Sequence, residues 1–336
     1  MAPVGSRPVG SGLVTIFGGS GFVGRYVARR MAKDGWRVRV ACRRPYEAHF
    51  VRIYGSVGQV EPVFCNIRDD DSVRACLMGA DAVVNCVGIL AESGRNTFGA
   101  VQSEGAERIA RIAAEEGVAR LAMVSAIGAD ADSPSDYART KAEGEAAVLR
   151  HMPGAVIVRP SIVFGPEDQF FNRFASMARR APVLPVVGAD TEFQPVFVDD
   201  VAAAVAMGAE GRAAPGIYEV GGPDVDTFRE TMRTMLRVIK RRALIVPVPF
   251  FVGSLMGFGL DLIPRVTFGI LPNGILTRDQ VRNLRRDNVV TGDHPGFAEL
   301  GIAPTSMEAI LPTYLWRFQP SGQYAEIKES ARNLRT

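Results

Sequence analysis

Residues 13–27, LVTIFGGSGFVGRYV, constrain the fold more than any other stretch of the chain. A short apolar run ends in glycines, and a helical pattern covering 22–34 follows at once, so the order is strand, turn, helix. Gly18, Gly21 and Gly24 recur every third residue across the turn. That spacing meets three physical demands: a tight reversal, backbone free to approach an anion, and a helix packed closely on its strand with its positive N-terminus facing that anion. A glycine triplet alone is weak evidence, and a purely structural turn would look similar. Placed between a strand and a helix near the chain start, it points to a pyrophosphate cradle made of Gly18, Gly19, Ser20, Gly21, Phe22 and Gly24.

The alternation then repeats. RVRVAC (37–42), QVEPVF (59–64), DAVVNCV (81–87), RLAMVS (120–125) and AVIVRP (155–160) have strand character, and 69–78, 100–116 and 137–150 have helical character. Short apolar strands alternating with helices imply a parallel sheet covered on both faces, an α/β Rossmann-like doubly wound fold. Beyond residue 160 proline becomes frequent and the alternation loosens. Residues 197–210 and 227–242 look helical, separated by a connector, GIYEVGGPD. The expected organisation is a flexible tail over 1–11, a dinucleotide-binding domain over 12–225 and a smaller C-terminal lobe over 226–336.

Several function classes recede on composition. The net charge of +3 is too small to indicate nucleic acid. Three histidines, His49, His151 and His294, are scattered, so no metal site is expected. Cys42, Cys65, Cys76 and Cys86 lie in or beside apolar runs without CxxC spacing, as reduced core residues of an intracellular protein would. The opening MAPVGSRPVGSG has no apolar core of a secretory signal.

Further candidates follow the strands. Where an acid would bind ribose hydroxyls at the end of the second strand, the chain has Cys42 followed by Arg43 and Arg44. A guanidinium there pairs with a 2′-phosphate and favours NADPH over NADH, although two arginines could equally be a solvated strand end. Asn66 and Ile67 follow the third strand, where an adenine ring would lie, and Val87 and Gly88 follow the fourth. Tyr137 and Lys141 stand one helical turn apart on one face. A lysine ammonium beside a phenol favours phenolate, so the pair is either an acid/base dyad or a clamp on a cofactor ribose.

With the glycine turn, NCVG, Tyr137 with Lys141, VRPSIVFGP (158–166, including Pro160 and Ile162) and PVFVDDVA (195–202) in this order, residues 12–240 resemble the extended and atypical short-chain dehydrogenase/reductase superfamily. Within it they look most like the nucleotide-binding accessory subunits of respiratory complex I, NADH:ubiquinone oxidoreductase. The resemblance implies NADPH held tightly, with Gly18, Gly21 and Gly24 at the pyrophosphate, Arg43 at the 2′-phosphate, and Tyr137 and Lys141 at the nicotinamide ribose. It also implies a subunit without turnover of its own, docked on other peripheral-arm subunits of complex I. Its place would be peripheral, on the cytoplasmic face of a bacterial inner membrane or the equivalent matrix side of a mitochondrion.

The chain departs from active relatives at one point. Their carbonyl-polarising hydroxyl lies one or two residues beyond the first serine after the fifth strand; here Ser125 is that first serine and Ala126 and Ile127 follow. Losing such a donor typically forfeits about 3 kcal/mol of oxyanion stabilisation. No catalytic residue is therefore expected. If the chain is active, Tyr137, Lys141 and Ser125 are the candidates, with Ser133 or Ser135 as substitutes only in a bent loop, and the reaction would be an NADP-dependent reduction or epimerisation of a sugar nucleotide or lipid-like carbonyl compound. A nucleotide-sensing regulator shares the same motifs.

The C-terminal part adds a surface. Lys240, Arg241 and Arg242 precede an uncharged run from Ala243 to Leu260, broken by Pro247 and Pro249. The helix left over 250–260 would be about 16 Å long, too short to span a hydrocarbon core of about 30 Å. Phe250, Phe251, Leu255, Met256 and Phe258 either close a pocket or face a protein partner or lipid, with the basic triplet near anionic headgroups. RDQVRNLRRD (278–287) is a basic helix that either joins that surface or is simply solvated.

Overall fold

A computed structural model describes residues 12–266, 277–320 and 322; the expected tail over 1–11 lies outside them. The first half alternates as its periodicity demands: β1 (Leu13–Phe17), α1 (Phe22–Lys33), β2 (Arg37–Cys42), β3 (Val60–Phe64), α2 (Asp70–Leu77), β4 (Ala82–Asn85), α3 (Glu104–Glu115), β5 (Arg120–Val124), α4 (Asp136–His151) and β6 (Val156–Pro160). Then come β7 (Val163–Phe164), α5 (Phe171–Arg180), β8 (Val183–Val187), β9 (Glu192–Phe193), β10 (Val196–Phe197), α6 (Val198–Glu210) and β11 (Gly216–Val220). The chain continues through β12 (Asp226–Thr227), α7 (Phe228–Val238), β13 (Leu244–Val248), α8 (Phe250–Val266), α9 (Arg278–Asn283) and α10 (Met307–Leu315).

Seven parallel strands form one sheet in the order β11-β6-β5-β4-β1-β2-β3. The order reverses between β1 and β4, and a doubly wound sheet opens a crevice at the carboxyl ends of such a pair. The strand alternation distributes side chains to two cores. Val14 and Ile16 join Met31, Val201 and Val205 under α1 and α6, whereas Phe17 joins Leu77, Ile109 and Ile112 under α2 and α3. Thr15, buried on this second face, satisfies its hydroxyl on the Cys76 carbonyl at 2.8 Å. Cys42, Cys65 and Cys76 are buried free thiols and Cys86 is half-buried.

One segment departs from its sequence expectation. GIYEV, expected as part of a connector, is β11, paired with β6 from Gly216↔Val156 to Val220↔Pro160. GIYEV mixes a glycine and a glutamate with its apolar residues and so lacks the near-continuous apolar run of the other strands; pairing along the edge of β6 makes it one. A third core spans the expected boundary at 225/226: Phe171, Leu184 and Phe193 from before it pack with Phe228, Met232, Met235, Leu311 and Leu315 from after it. Helix α7 starts on a capping box formed by Thr227 and Glu230. The chain then returns to the sheet: the Glu219 N–H donates to the Pro295 carbonyl at 3.0 Å, and Phe297 and Leu300 enter the core beneath α6.

Candidate nucleotide-binding site

The glycine turn sits at the mouth of the β1/β4 crevice. Gly18 has φ +74°, the left-handed region that glycine enters without steric cost, and its N–H reaches the Ala41 carbonyl at 3.0 Å. A Cβ on Gly24 would stand 2.3 Å from the Gly18 oxygen and 2.7 Å from the Gly19 Cα, so α1 lies directly on the turn. Gly21 caps α1 without a side-chain bond, and the first turn holds no acidic residue. The helix therefore presents its unpaired N–H groups and positive end to the crevice, a setting that fits a pyrophosphate.

Around this turn the predicted residues take different positions. Burial raises the pKa of the Cys42 thiol, with the Ser20 hydroxyl opposing the shift. Arg43 and Arg44 are both exposed, and Arg44 pairs with Glu47 at 3.2 Å, so only Arg43 of the two is left without a described partner. Sequence reasoning passed over Arg25, directly after the third glycine. Its guanidinium folds back to donate to the Gly21 and Ser20 carbonyls, both at 3.2 Å, lies 4.7 Å over the Phe50 ring and 3.6 Å from Glu167. A basic residue in the first turn of a helix that faces an anion was the available signal. Asn66 is held by the Ser72 hydroxyl, which accepts its N–H at 2.9 Å, and Ile67 packs toward Gly105. Asn85 turns its Oδ1 onto the Val87 N–H at 3.0 Å and thereby shapes the strand end.

Across the crevice, Lys141 meets the end of β4. A Cβ on Gly88 would lie 3.5 Å from Nζ, and Nζ itself donates to the Val124 carbonyl at 3.2 Å. Lys141 is only 4% exposed, and burial brings its pKa down to about 8, opposed by Glu145 and Cys86. Tyr137 packs edge-on against Phe98 at 5.9 Å. Of the two readings of the pair, the phenol's surroundings favour the clamp: burial and the Asp279 carboxylate raise its pKa to about 12.

The lysine carries a linkage prediction. Between pH 8 and the ordinary lysine value of 10.5 the unfolded chain holds a proton that the folded chain has released, so this group makes stability rise with pH there. Below pH 8 the burial penalty is present in full. Lys141→Met is expected to stabilise the protein at pH 7 by up to about 3 kcal/mol and to abolish that rise. Urea denaturation of both proteins at pH 7 and pH 10 measures the difference, and an unchanged pH response would refute the assignment.

The hydroxyls near the dyad are all committed. Ser125, buried at the end of β5, donates to Glu145 Oε1 in a short hydrogen bond. Glu145 is in turn clamped by Arg159, with Nε to Oε1 at 3.0 Å and Nη2 to Oε2 at 2.6 Å. Arg159 reaches on to Glu219 at 3.5 Å and the His294 ring at 3.3 Å, and Glu219 accepts from the Thr291 N–H and hydroxyl. Ser133 Oγ accepts the Ser135 N–H at 3.2 Å, and Ser135 Oγ donates to Asp279 at 2.8 Å. Pro160 gives its carbonyl to the Ile127 N–H, Ile162 gives its own to Val196, and Ser161 donates to Asn288. The 284–291 segment thus ties the C-terminal part to the ends of β5 and β6, with Asn288 reaching the Ile127 carbonyl at 3.4 Å.

That segment follows α9, which corrects another expectation. Residues 278–287 are not merely a solvated basic face: Val281 is fully buried, Gln280 Nε2 donates to the Leu90 carbonyl at 3.2 Å and Arg282 to the Pro134 carbonyl at 3.2 Å.

The model of the NAD dependent epimerase/dehydratase family matches residues 14–221. The chain belongs to this family. It is 34% identical over 325 residues to NADH dehydrogenase (ubiquinone) 1 alpha subcomplex subunit 9, mitochondrial, of Arabidopsis thaliana, covering 95% of this chain and 81% of that protein. It is 32% identical over 240 residues to the ceramide reductase of Caulobacter vibrioides, covering 71% and 74% respectively. Among solved structures, NADPH-dependent quinone oxidoreductase QOR2 from Escherichia coli, complexed with NADPH, superposes with a TM-score of 0.67 at 16% identity over 90% of this chain and 98% of that one.

Proposed function

We propose that the protein is an accessory subunit of a respiratory NADH:ubiquinone oxidoreductase that holds NADPH as a structural ligand without turning it over. The observation that carries this reading is the commitment of Ser125 to Glu145, beside Ala126 and Ile127, which leaves a substrate carbonyl without an aimed hydroxyl donor. The unlowered phenol of Tyr137 supports it, as does the similarity to a complex I subunit over most of both chains. On this reading Gly18–Gly24 cradle the pyrophosphate, Arg43 and Arg25 supply positive charge for a 2′-phosphate, and Tyr137 and Lys141 clamp the nicotinamide ribose. NADPH then stabilises the native state by mass action.

The docking surface fits α8. Gly253 and Gly257 seat the helix on Val187 and on the Arg278 backbone, so Phe251, Leu255, Met256 and Phe258 point outward and exposed, while Phe250 is half-buried under Arg285. The helix extends to Val266, beyond the expected 260, but no helix among the described residues is long and apolar enough to cross a membrane. Four large apolar side chains on one exposed helix, with Arg242 exposed nearby in sequence, suit a partner subunit or the headgroup boundary on the cytoplasmic or matrix side. Replacing Phe251 and Leu255 together by Asp is expected to leave the fold intact and to weaken attachment by about 3 kcal/mol, on the order of a hundredfold, read as loss of co-sedimentation with membranes. Full retention would remove α8 from the interface.

The ceramide reductase similarity favours a second reading, an NADP-dependent reductase of a lipid-like carbonyl compound with Tyr137 as general acid. One experiment separates the two. Purification of the tagged protein from gently solubilised membranes, with mass spectrometry of both partners and bound nucleotide, should give complex I subunits in stoichiometric yield with NADPH retained. A partner-free protein that oxidises NADPH with a carbonyl substrate, and loses that activity in Tyr137→Phe, would replace the first reading by the second.

A further inference from the structure

The helix that carries Tyr137 and Lys141 is held at its start by a residue from the other lobe. Asp279, 142 residues from Tyr137, accepts the Asp136 N–H at 2.9 Å, the Tyr137 N–H at 3.2 Å and the Ser135 hydroxyl at 2.8 Å. Ser135 is the N-cap of α4 and also accepts the Ala138 N–H. Two backbone donors that a helix start leaves open are thus satisfied by a carboxylate that the α4 sequence does not contain, at the positive end of the helix. Charge-assisted bonds of this kind are about twice as strong as neutral ones. Asp279 lies at the second position of α9, behind a capping box formed by Thr277 and Gln280, and α9 is braced against α8 by the close approach of Gly257 to the Arg278 backbone.

We infer that Asp279 is a positioning residue of the nucleotide site, through which the C-terminal lobe sets the register of Tyr137 and Lys141 and so controls how tightly the nicotinamide half of the nucleotide is retained. This rests on the NADPH-holding reading above. The coupling is reciprocal: nucleotide that orders the start of α4 also orders α9 and the α8 behind it, where the proposed docking face lies.

The test uses the full-length protein, with NADPH as probe. Asp279→Ala is expected to speed NADPH dissociation by about ten- to a hundredfold, from the loss of two charge-assisted bonds to the site helix, with Asp279→Asn intermediate because it keeps an acceptor without the charge. Arg286→Ala breaks the 2.9 Å pair with Asp130, loosening the same segment while leaving the Asp279 bonds to α4 in place, and is expected to leave dissociation unchanged. Hydrogen exchange provides the second readout: NADPH should protect residues 135–141, 250–260 and 277–288 in the wild type, and in Asp279→Ala should protect only the glycine turn. Equal acceleration in Asp279→Ala and Arg286→Ala would show general loosening and overturn the role of Asp279. Protection of the glycine turn in the wild type without any at 250–288 would overturn the coupling. No protection anywhere would instead refute the NADPH-holding reading itself.

Discussion

Gly24→Val is expected to destroy the nucleotide site and to destabilise the protein by about 3 kcal/mol or more. The new Cβ would stand 2.3 Å from the Gly18 oxygen and 2.7 Å from the Gly19 Cα, and both are backbone atoms that cannot swing aside as a side chain could. Helix α1 would have to lift from the turn, dragging Val27, Ala28 and Met31 out of the core they share with α6. A lower urea midpoint together with protein that purifies free of nucleotide is the expected result. Gly154→Ala is the matched control: nothing lies within 4 Å of its Cβ position and it lacks a left-handed φ, so it should be nearly silent. Wild-type stability in Gly24→Val would mean that the turn is looser than these distances require.

The second large effect is expected at Arg159→Leu. Its guanidinium is the cation between Glu145 and Glu219, which are 3% exposed each. Removing it leaves two buried carboxylates in each other's field without the cation between them, a change that typically costs about 3–5 kcal/mol. The same change releases Glu145 from the bonds that hold it against Ser125. Replacing all three residues at once, Arg159→Leu with Glu145→Gln and Glu219→Gln, should recover much of the loss, because neutral amides avoid the unpaired charge although some hydrogen bonds remain unmade. Thermal denaturation of the single and triple variants decides it; a single variant within about 0.5 kcal/mol of wild type would place the network outside the stabilising core.

The two variants probe parts of the molecule that differ in how far the sequence discloses them. The glycine turn needed only its neighbours: strand periodicity before it, helix periodicity after it, and glycines where a Cβ cannot fit. Tyr137 and Lys141 were legible for the same reason, since helical spacing alone puts them on one face. Nothing near Arg159 names its partners. Glu145 comes from α4, Glu219 from a strand whose mixed polar and apolar residues hide it, and His294 from a segment that returns to the sheet only after the C-terminal lobe is built. The choice between dyad and clamp at Tyr137 was not legible for a related reason: helical spacing sets which face a phenol shares with a lysine, whereas burial and the charge of Asp279 set its proton affinity.

Local pattern, then, determined the α/β class, the strand order up to β6 in chain sequence, the turn that can cradle a pyrophosphate, and the helix that carries the lysine. Tertiary structure alone decided that Ser125 is tied to Glu145, that GIYEV becomes the seventh strand and that Asp279 caps α4. Periodicity and turn chemistry act between residues a few positions apart, so they are written in the order of the chain. Hydrogen-bond partners and desolvation depend on which distant backbone arrives at the same place, and only the packed fold specifies that.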